Sequence, residues 1–243
     1  MKIALLGYGK MGKMIEVLIL RERIHEVNLK ATSSNRHEIT VATLKKSDVA
    51  LDFSAPGIVM DNILLCLEAG IPIVIGTTGW YDQLGKAKSL CGEKNGSIIY
   101  ASNFSIGVNI FFELNKKLAE LMKHRKEYEP YITEIHHAQK KDTPSGTAIS
   151  LAKDILQSTE RKKQWVNHES AKSDELVILS EREGTVTGTH RVEYKSVIDR
   201  IEITHEAFSR EGFAKGAIAA ANWIYKKKGF FEFRDTISQL NGP

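Results

Sequence analysis

The chain has 243 residues, 42% of them hydrophobic, with 34 Lys and Arg against 30 Asp and Glu and a formal net charge of +4. That length and balance fit one large globular domain or two small ones and argue against disorder. No apolar run reaches the roughly 20 residues that span a bilayer, which excludes a membrane protein, and the positive excess is too small to point to nucleic acid. The opening Met1–Gly7 breaks at glycine before a signal-peptide apolar region could form. Cys66 and Cys91 are too few for a disulfide framework or a cysteine zinc site, and they read as reduced, buried thiols of a cytoplasmic protein.

In chain order, short apolar runs at Ile3–Leu6, Val27–Ala31, Val49–Ser54, Ile71–Ile75 and Ser97–Ala101 read as strands. Helix-length segments such as Met11–Arg21 and Ile58–Ala69 separate several of them. Strands apolar on both faces that alternate with helices predict a parallel sheet covered on both sides, an α/β Rossmann-like domain. The Arg36–Lys46 stretch is too short for a full helix plus a strand, so the sheet is expected to be trimmed there. Val108–Lys123 predicts a long amphipathic helix. Beyond it, Tyr131–His136, Val177–Arg182, His190–Lys195 and Arg200–Glu206 read as strands with a single intervening helix, Thr147–Gln157. This second part is expected to be a smaller α+β domain with a mostly antiparallel sheet. Thr159–Ser173 is polar and reads as a mobile loop, and the Arg161–Lys163 charges read as loop charge. An alanine-rich helix is expected from Phe213 to Lys227, ending at Gly229, with Lys226–Lys228 complementing its dipole. The expected division is residues 1–105 with 210–243 as one domain and 106–209 as the other.

Three motifs carry chemistry. Gly7-Tyr8-Gly9-Lys10-Met11-Gly12 follows the first strand and opens a helix. There, glycines allow a tight turn, close approach of a pyrophosphate and tight helix–strand packing, while the helix start offers unpaired N–H groups to the anion. Gly76-Thr77-Thr78-Gly79 and Ala101-Ser102-Asn103-Phe104 follow later strands at their carboxyl ends, and each suits either a ligand loop or an ordinary turn. The second motif is Glu134-Ile135-His136-His137-Ala138-Gln139-Lys140-Lys141-Asp142-Thr143-Pro144-Ser145-Gly146-Thr147. Adjacent histidines in a strand face opposite ways, and without a third ligand nearby they make a poor zinc motif. Thr143 is expected to cap the next helix, with Pro144 at its first position. The amides of Ser145, Gly146 and Thr147 would then form an anion pocket beside Lys140 and a histidine, although a plain capped helix after a polar loop fits the same spacing. The third is Thr204–Arg210, where Arg210 is either solvated or a bidentate carboxylate ligand.

Together these residues resemble the 4-hydroxy-tetrahydrodipicolinate (dihydrodipicolinate) reductase family essentially end to end. The Glu134–Thr147 motif is the most specific element. Asp52-Phe53-Ser54, Gly76–Gly79, Asn103–Gly107, Arg182–His190 and Ile201–Arg210 support it. The resemblance implies an NAD(P)H-dependent reductase of lysine and diaminopimelate biosynthesis acting on a small-molecule dicarboxylate, with the second domain forming a homotetramer. It maps proton donation onto His136 and Lys140 and substrate contacts onto His137, Gly146 and Thr147; Ser145 and Arg210 are expected to join them from the anion-pocket and carboxylate readings above. Coenzyme contacts map onto Gly7–Gly12, Gly76–Thr78 and Ala101–Phe104. Gly7–Gly12 is one residue shorter than the family's usual loop. The acidic residue usual after the second strand is also missing: Thr32-Ser33-Ser34-Asn35-Arg36 stands in its place. An acid there would repel a 2′-phosphate. Its absence, with Ser34, Arg36 and Lys10 available, predicts that NADPH serves at least as well as NADH, with dual use expected. Another two-domain nicotinamide oxidoreductase, aspartate or homoserine dehydrogenase-like, leaves the Glu134–Thr147 motif unexplained. So does a non-catalytic NAD(P)H sensor.

Overall fold

A computed structural model describes residues 1–170 and 172–240. In chain order its strands are β1 (Lys2–Leu6), β2 (Glu26–Ala31), β3 (Val49–Asp52), β4 (Ile73–Ile75), β5 (Ser97–Tyr100), β6 (Glu129–His136), β7 (Gln164–Val166), β8 (Glu175–Arg182), β9 (Thr189–Lys195), β10 (Arg200–Glu206) and β11 (Gly229–Glu232). The helices are α1 (Lys10–Glu22), α2 (Val41–Leu44), α3 (Val59–Ala69), α4 (Leu84–Glu93), α5 (Ile106–Met122), α6 (Gly146–Ser158), α7 (Glu211–Ile224) and α8 (Phe233–Thr236). The chain forms two compact units, one of Met1–Ile106 with the segment from Glu211 onward, the other of Gly107–Arg210.

The first unit is a six-stranded sheet in the order β11-β5-β4-β3-β1-β2 with every pairing parallel. Side chains alternate across it between two cores. Ile3, Leu5, Leu51, Val74 and Ile99 join α1 and α7 on one face, while Ala4, Leu6, Ala50, Ile75 and Ile98 join α3 on the other. Burial on both faces explains the continuous apolar runs, each fully buried Leu or Ile contributing about 1.5–3 kcal/mol. Between β2 and β3 only a 3₁₀ turn and the four-residue α2 fit, as the short Arg36–Lys46 stretch predicts. The last helix departs from expectation. It stops at Ile224, Lys226 takes a left-handed φ of 66°, and Gly229, with φ 133°, opens β11 instead of closing the helix. The lysine run therefore lies beyond the helix, and β11 pairs with the otherwise open edge of β5.

The second unit is a five-stranded sheet, β10-β9-β6-β8-β7, with α5 and α6 sharing its apolar core. The antiparallel ladders β10–β9 and β9–β6 are longer than the parallel ladders β6–β8 and β8–β7. The parallel pair arises because α6 carries the chain over the sheet between β6 and β8, which forces the same strand direction. Two expectations change here. The Thr159–Ser173 stretch contains the edge strand β7 (Ala171 lies outside the described residues), and the Arg161–Lys163 charges, which do lie in the loop before that strand, are not all solvated. Lys162 is only 3% exposed and is ion-paired with Glu129, while Arg161 donates to the Tyr128 carbonyl at 2.8 Å. Glu129 of β6 supplies the carboxylate that lets Lys162 be buried just before β7 begins.

Candidate active site

The glycine loop between β1 and α1 is shaped by close contacts. A Cβ on Gly7, whose φ is 101°, would lie 2.3 Å from the Phe53 carbonyl oxygen, and one on Gly12 would lie 2.5 Å from the Gly7 oxygen. Neither position admits a side chain. At Gly9 nothing lies within 4 Å, and no side chain caps the α1 N-terminus there, so the first-turn amides stay available to an anion. Two cavities flank this loop. One, of about 380 Å³, is lined by Gly7, Tyr8, Gly9, Thr32, Ser33, Arg36, Ile58 and Asn62. The other, of about 460 Å³, is lined by Gly9, Lys10, Met11, Pro56, Gly76, Thr77 and Thr78, and Phe53 and Ser54 border both. The pair runs along the carboxyl ends of β1, β3 and β4, where open α/β sheets bind ligands.

Several residues expected here take different places. Ser34 is exposed and lines neither cavity; its hydroxyl lies 2.8 Å from that of Thr32, and Ser33 faces the first cavity instead. Arg36 lines that cavity but is already engaged, donating to Asn62 Oδ1 at 3.0 Å and Asp61 Oδ2 at 3.2 Å. Lys10 borders the second cavity and not the one beside Arg36, so the two cations do not converge on one phosphate site. Ala101 and Phe104 are buried, and the Phe104 ring packs 4.8 Å from Phe233. Ser102 is exposed, and Asn103 Oδ1 accepts from the Ser105 amide at 2.8 Å; none of the four lines either cavity.

Sequence reading missed what holds this floor together. Asp52, at the end of β3, is fully buried. Its Oδ1 accepts from the Ser54 hydroxyl at 2.6 Å and from Thr77 at 2.7 Å, and its Oδ2 from Asn62 at 2.7 Å. Burial pushes its carboxyl above the ordinary range although these hydrogen bonds act downward. The Asp-x-Ser spacing was legible as a motif. The convergence of Asn62 and Thr77 on it comes only from the parallel packing of β3, β4 and α3.

In the second unit, strand register builds the site. Glu134 lies opposite His190 on β9 and Ser180 on β8, and His136 lies opposite Arg182. Alternation along β6 places Glu134 and His136 on one buried face, while His137, just past the strand end, is half-buried. His136 Nδ1 lies 2.5 Å from Glu134 Oε2. Glu134 Oε1 receives Arg182 Nη2 at 3.1 Å and the Ser145 amide at 3.3 Å. Burial pushes the Glu134 carboxyl up, but hydrogen bonds from His136, Ser180 and Ser145 outweigh it and hold the group well below its ordinary range. The His190 ring meets that of His136 edge-on at 5.0 Å, and its Nε2 lies 3.0 Å from the Ser145 hydroxyl. Burial first, then repulsion from His136, pushes His190 down to about 3.

The helix start is not built as expected. Ser145, and not Thr143, caps α6, its hydroxyl accepting from the Ala148 amide at 3.2 Å. Pro144 therefore precedes the helix, and the Thr143 hydroxyl donates to Asn167 at 3.2 Å. The Ser145 amide is used by Glu134, which leaves Gly146 and Thr147 as the first helical residues. Lys140 is brought beside this turn and donates to both Asp142 carboxylate oxygens at 2.8 Å. Arg210 is exposed at the last residue of the unit. Glu134, His136 and His190 offer three donor atoms within 4.8 Å of one another, a grouping invisible in sequence because His190 is remote in the chain. His136 Nδ1 lies against one Glu134 oxygen at 2.5 Å and the Arg182 cation pairs with the other, so the geometry is that of an acid–base cluster.

A parallel sheet with a glycine loop at its carboxyl edge is the fold of nucleotide-coenzyme oxidoreductases. Residues 1–104 match the family described as dihydrodipicolinate reductase, N-terminus, and residues 107–237 its C-terminus. The chain belongs to the dihydrodipicolinate reductase family. It is 48% identical over 241 residues, 99% of each chain, to the 4-hydroxy-tetrahydrodipicolinate reductase of Christiangramia forsetii. It is 35% identical to the enzyme of that name from Chromobacterium violaceum, over 81% of this chain and 76% of that one. Among solved structures it is similar to the dipicolinate-bound dihydrodipicolinate reductase of Paenisporosarcina sp. TG-14, with a TM-score of 0.75, 25% identity, and 96% and 98% of the two chains covered. A probable dehydrogenase of Thermotoga maritima shares the fold at 10% identity and a TM-score of 0.57, over 99% and 93% of the two chains.

Proposed function

We propose that this chain reduces 4-hydroxy-tetrahydrodipicolinate to tetrahydrodipicolinate in lysine and diaminopimelate biosynthesis. The observation that carries this reading is the cluster at the ends of β6 and β9, a buried histidine paired to a carboxylate, with the α6 start capped by Ser145 and Lys140 held by Asp142 in the turn between them. The first unit holds the coenzyme, with the Gly7–Gly12 loop and α1 amides facing its pyrophosphate and Gly76–Thr78 bordering the second cavity. When bound, the nicotinamide supplies the hydride. The second unit holds the substrate dicarboxylate through His137, Gly146, Thr147 and the charges of Lys140 and Arg210. Hydride addition to a conjugated imine moves negative charge along the substrate, and His136 with Lys140 delivers the proton that this charge requires.

Both NADPH and NADH are coenzymes in this reading. Thr32 and Ser33 offer neutral hydroxyls to a ribose or a phosphate, while Arg36, shared with Asp61, gives a 2′-phosphate only part of its charge. A homotetramer forming through the second unit is supported by the edge strand β10 and the exposed Val197 and Ile198 before it. Two buried free thiols, and the absence among described residues of any helix long and apolar enough to cross a membrane, suit a cytoplasmic enzyme. The test is turnover of the purified protein with NADPH or NADH and the condensation product of pyruvate and aspartate semialdehyde. Coenzyme oxidation that depends on this substrate is expected, whereas coenzyme binding without turnover would sink the proposal.

A further inference from the structure

The mechanism just proposed uses His136 but gives Glu134 no part, although Glu134 is fully buried and ionised at the centre of the cluster. Its two oxygens face different partners. Oε2 lies 2.5 Å from His136 Nδ1, Oε1 is fixed by Arg182 and the Ser145 amide, and Ser180 also hydrogen-bonds the carboxylate. Arg182 is itself anchored, donating to the Asp142 and Glu181 carbonyls at 2.8 and 2.7 Å. The carboxylate therefore cannot rotate without leaving a cation and a backbone N–H unpaired in a buried place, a loss of order 1–3 kcal/mol per group. Against an ionised oxygen at 2.5 Å, Nδ1 must carry a proton. The other ring nitrogen, Nε2, has no hydrogen-bond partner among the described residues and faces Gly188, where a Cβ would come within 3.0 Å.

We infer that Glu134 is a positioning residue for His136: it fixes the Nδ1–H tautomer, reserves Nε2 for proton exchange with substrate, and keeps a negative charge beside the ring when both nitrogens are protonated. This rests on the reading of His136 as a proton donor. Glu134→Gln discriminates sharply, because the same two donors that hold Oε1 orient the amide. Its oxygen must face Arg182 and the Ser145 N–H, so its NH₂ faces Nδ1. Nδ1 must then accept, the neutral ring carries its proton on Nε2, and the doubly protonated ring meets donor against donor.

The experiment is ¹⁵N-histidine NMR of the full protein at about pH 8.5, where histidine is neutral, alongside steady-state kinetics. The wild type is expected to show His136 protonated on Nδ1, and Glu134→Gln to show it on Nε2. In that variant kcat should fall by about 10²–10⁴ with coenzyme dissociation unchanged, the range for wrong-tautomer and lost-acid substitutions. Glu134→Asp, which keeps the charge, should recover part of the loss, and Glu134→Gln should cost nothing further in a His136→Ala background. A wild-type Nε2–H tautomer overturns the inference whether or not the variants fold. So does an equal cost of Glu134→Gln with and without His136. If His136→Ala itself retains full activity while the tautomer responds as described, the donor role of His136 falls and the Glu134–His136 coupling stands.

Discussion

His190 offers a stability test that needs no substrate. The Ser145 hydroxyl accepts from the Ala148 amide, so its own proton is directed to His190 Nε2, and the neutral ring is the form that fits. Its titration falls from the ordinary 6.5 to about 3. A histidine held neutral in the fold takes up its proton only on unfolding. Its contribution is therefore complete above 6.5 and is lost as the pH drops toward about 3. Each unit below 6.5 costs about 1.4 kcal/mol, so acidification from about pH 7.5 to about pH 5 removes about 2 kcal/mol through this one group. The figure hardly depends on the native value as long as that lies well below 5. Urea unfolding of the wild type and of His190→Gln at both pH values isolates it, since groups common to both cancel. The variant keeps an acceptor for Ser145 but cannot titrate. The stability gap between the two proteins is expected to narrow by about 2 kcal/mol at the lower pH. A gap that stays constant would mean that His190 is not held neutral, and the account of the cluster's electrostatics would be wrong.

Lys140→Ala should lower kcat by about 10²–10⁴ while leaving NADPH dissociation unchanged in fluorescence titration; a wild-type rate would remove Lys140 from the mechanism. Arg36→Ala should raise KM for NADPH about 10-fold or more, the scale of a lost charged hydrogen bond, with little change for NADH. Asp61→Asn, which releases Arg36, should move the preference toward NADPH in the same kinetics. Gly12→Ala pushes a methyl against the Gly7 oxygen at 2.5 Å, and is expected to cost about 1–3 kcal/mol in thermal unfolding and to weaken both coenzymes alike.

What could be read from the sequence was what is local. The β1–loop–α1 unit combines a buried apolar run with glycines at fixed offsets, and both signals fall within the first dozen residues. The shared face of Glu134 and His136 follows from the two-residue strand period. His190 and Arg182 could not be placed beside them, because that depends on the register of β9 and β8 against β6. The cap of α6 was misplaced for a similar reason. Thr143 and Ser145 are both good caps, and the choice falls to Ser145 where Glu134 takes its amide and His190 its hydroxyl. Strands β7 and β11 were hidden because each is short and pairs with an edge that exists only in the folded sheet.

The return of the chain to its first sheet bears on how the protein is made. During synthesis β1 to β5 leave the ribosome first, yet one face of that sheet is covered largely by Ala214, Ala217, Ile218, Ala220, Ala221 and Ile224, and its open edge by β11. Gly216 sets the closeness of that cover, since a Cβ there would meet the Phe104 oxygen at 1.6 Å. For as long as it takes to add more than a hundred residues, this sheet has one apolar face covered only by α1 and the outer edge of β5 unpaired. The intervening segment, Gly107–Arg210, by contrast has all its strands and its own core available once Arg210 has emerged. The nascent chain should thus complete its units in the reverse of the order in which they begin, and be most exposed to chaperones and to aggregation just before α7 appears.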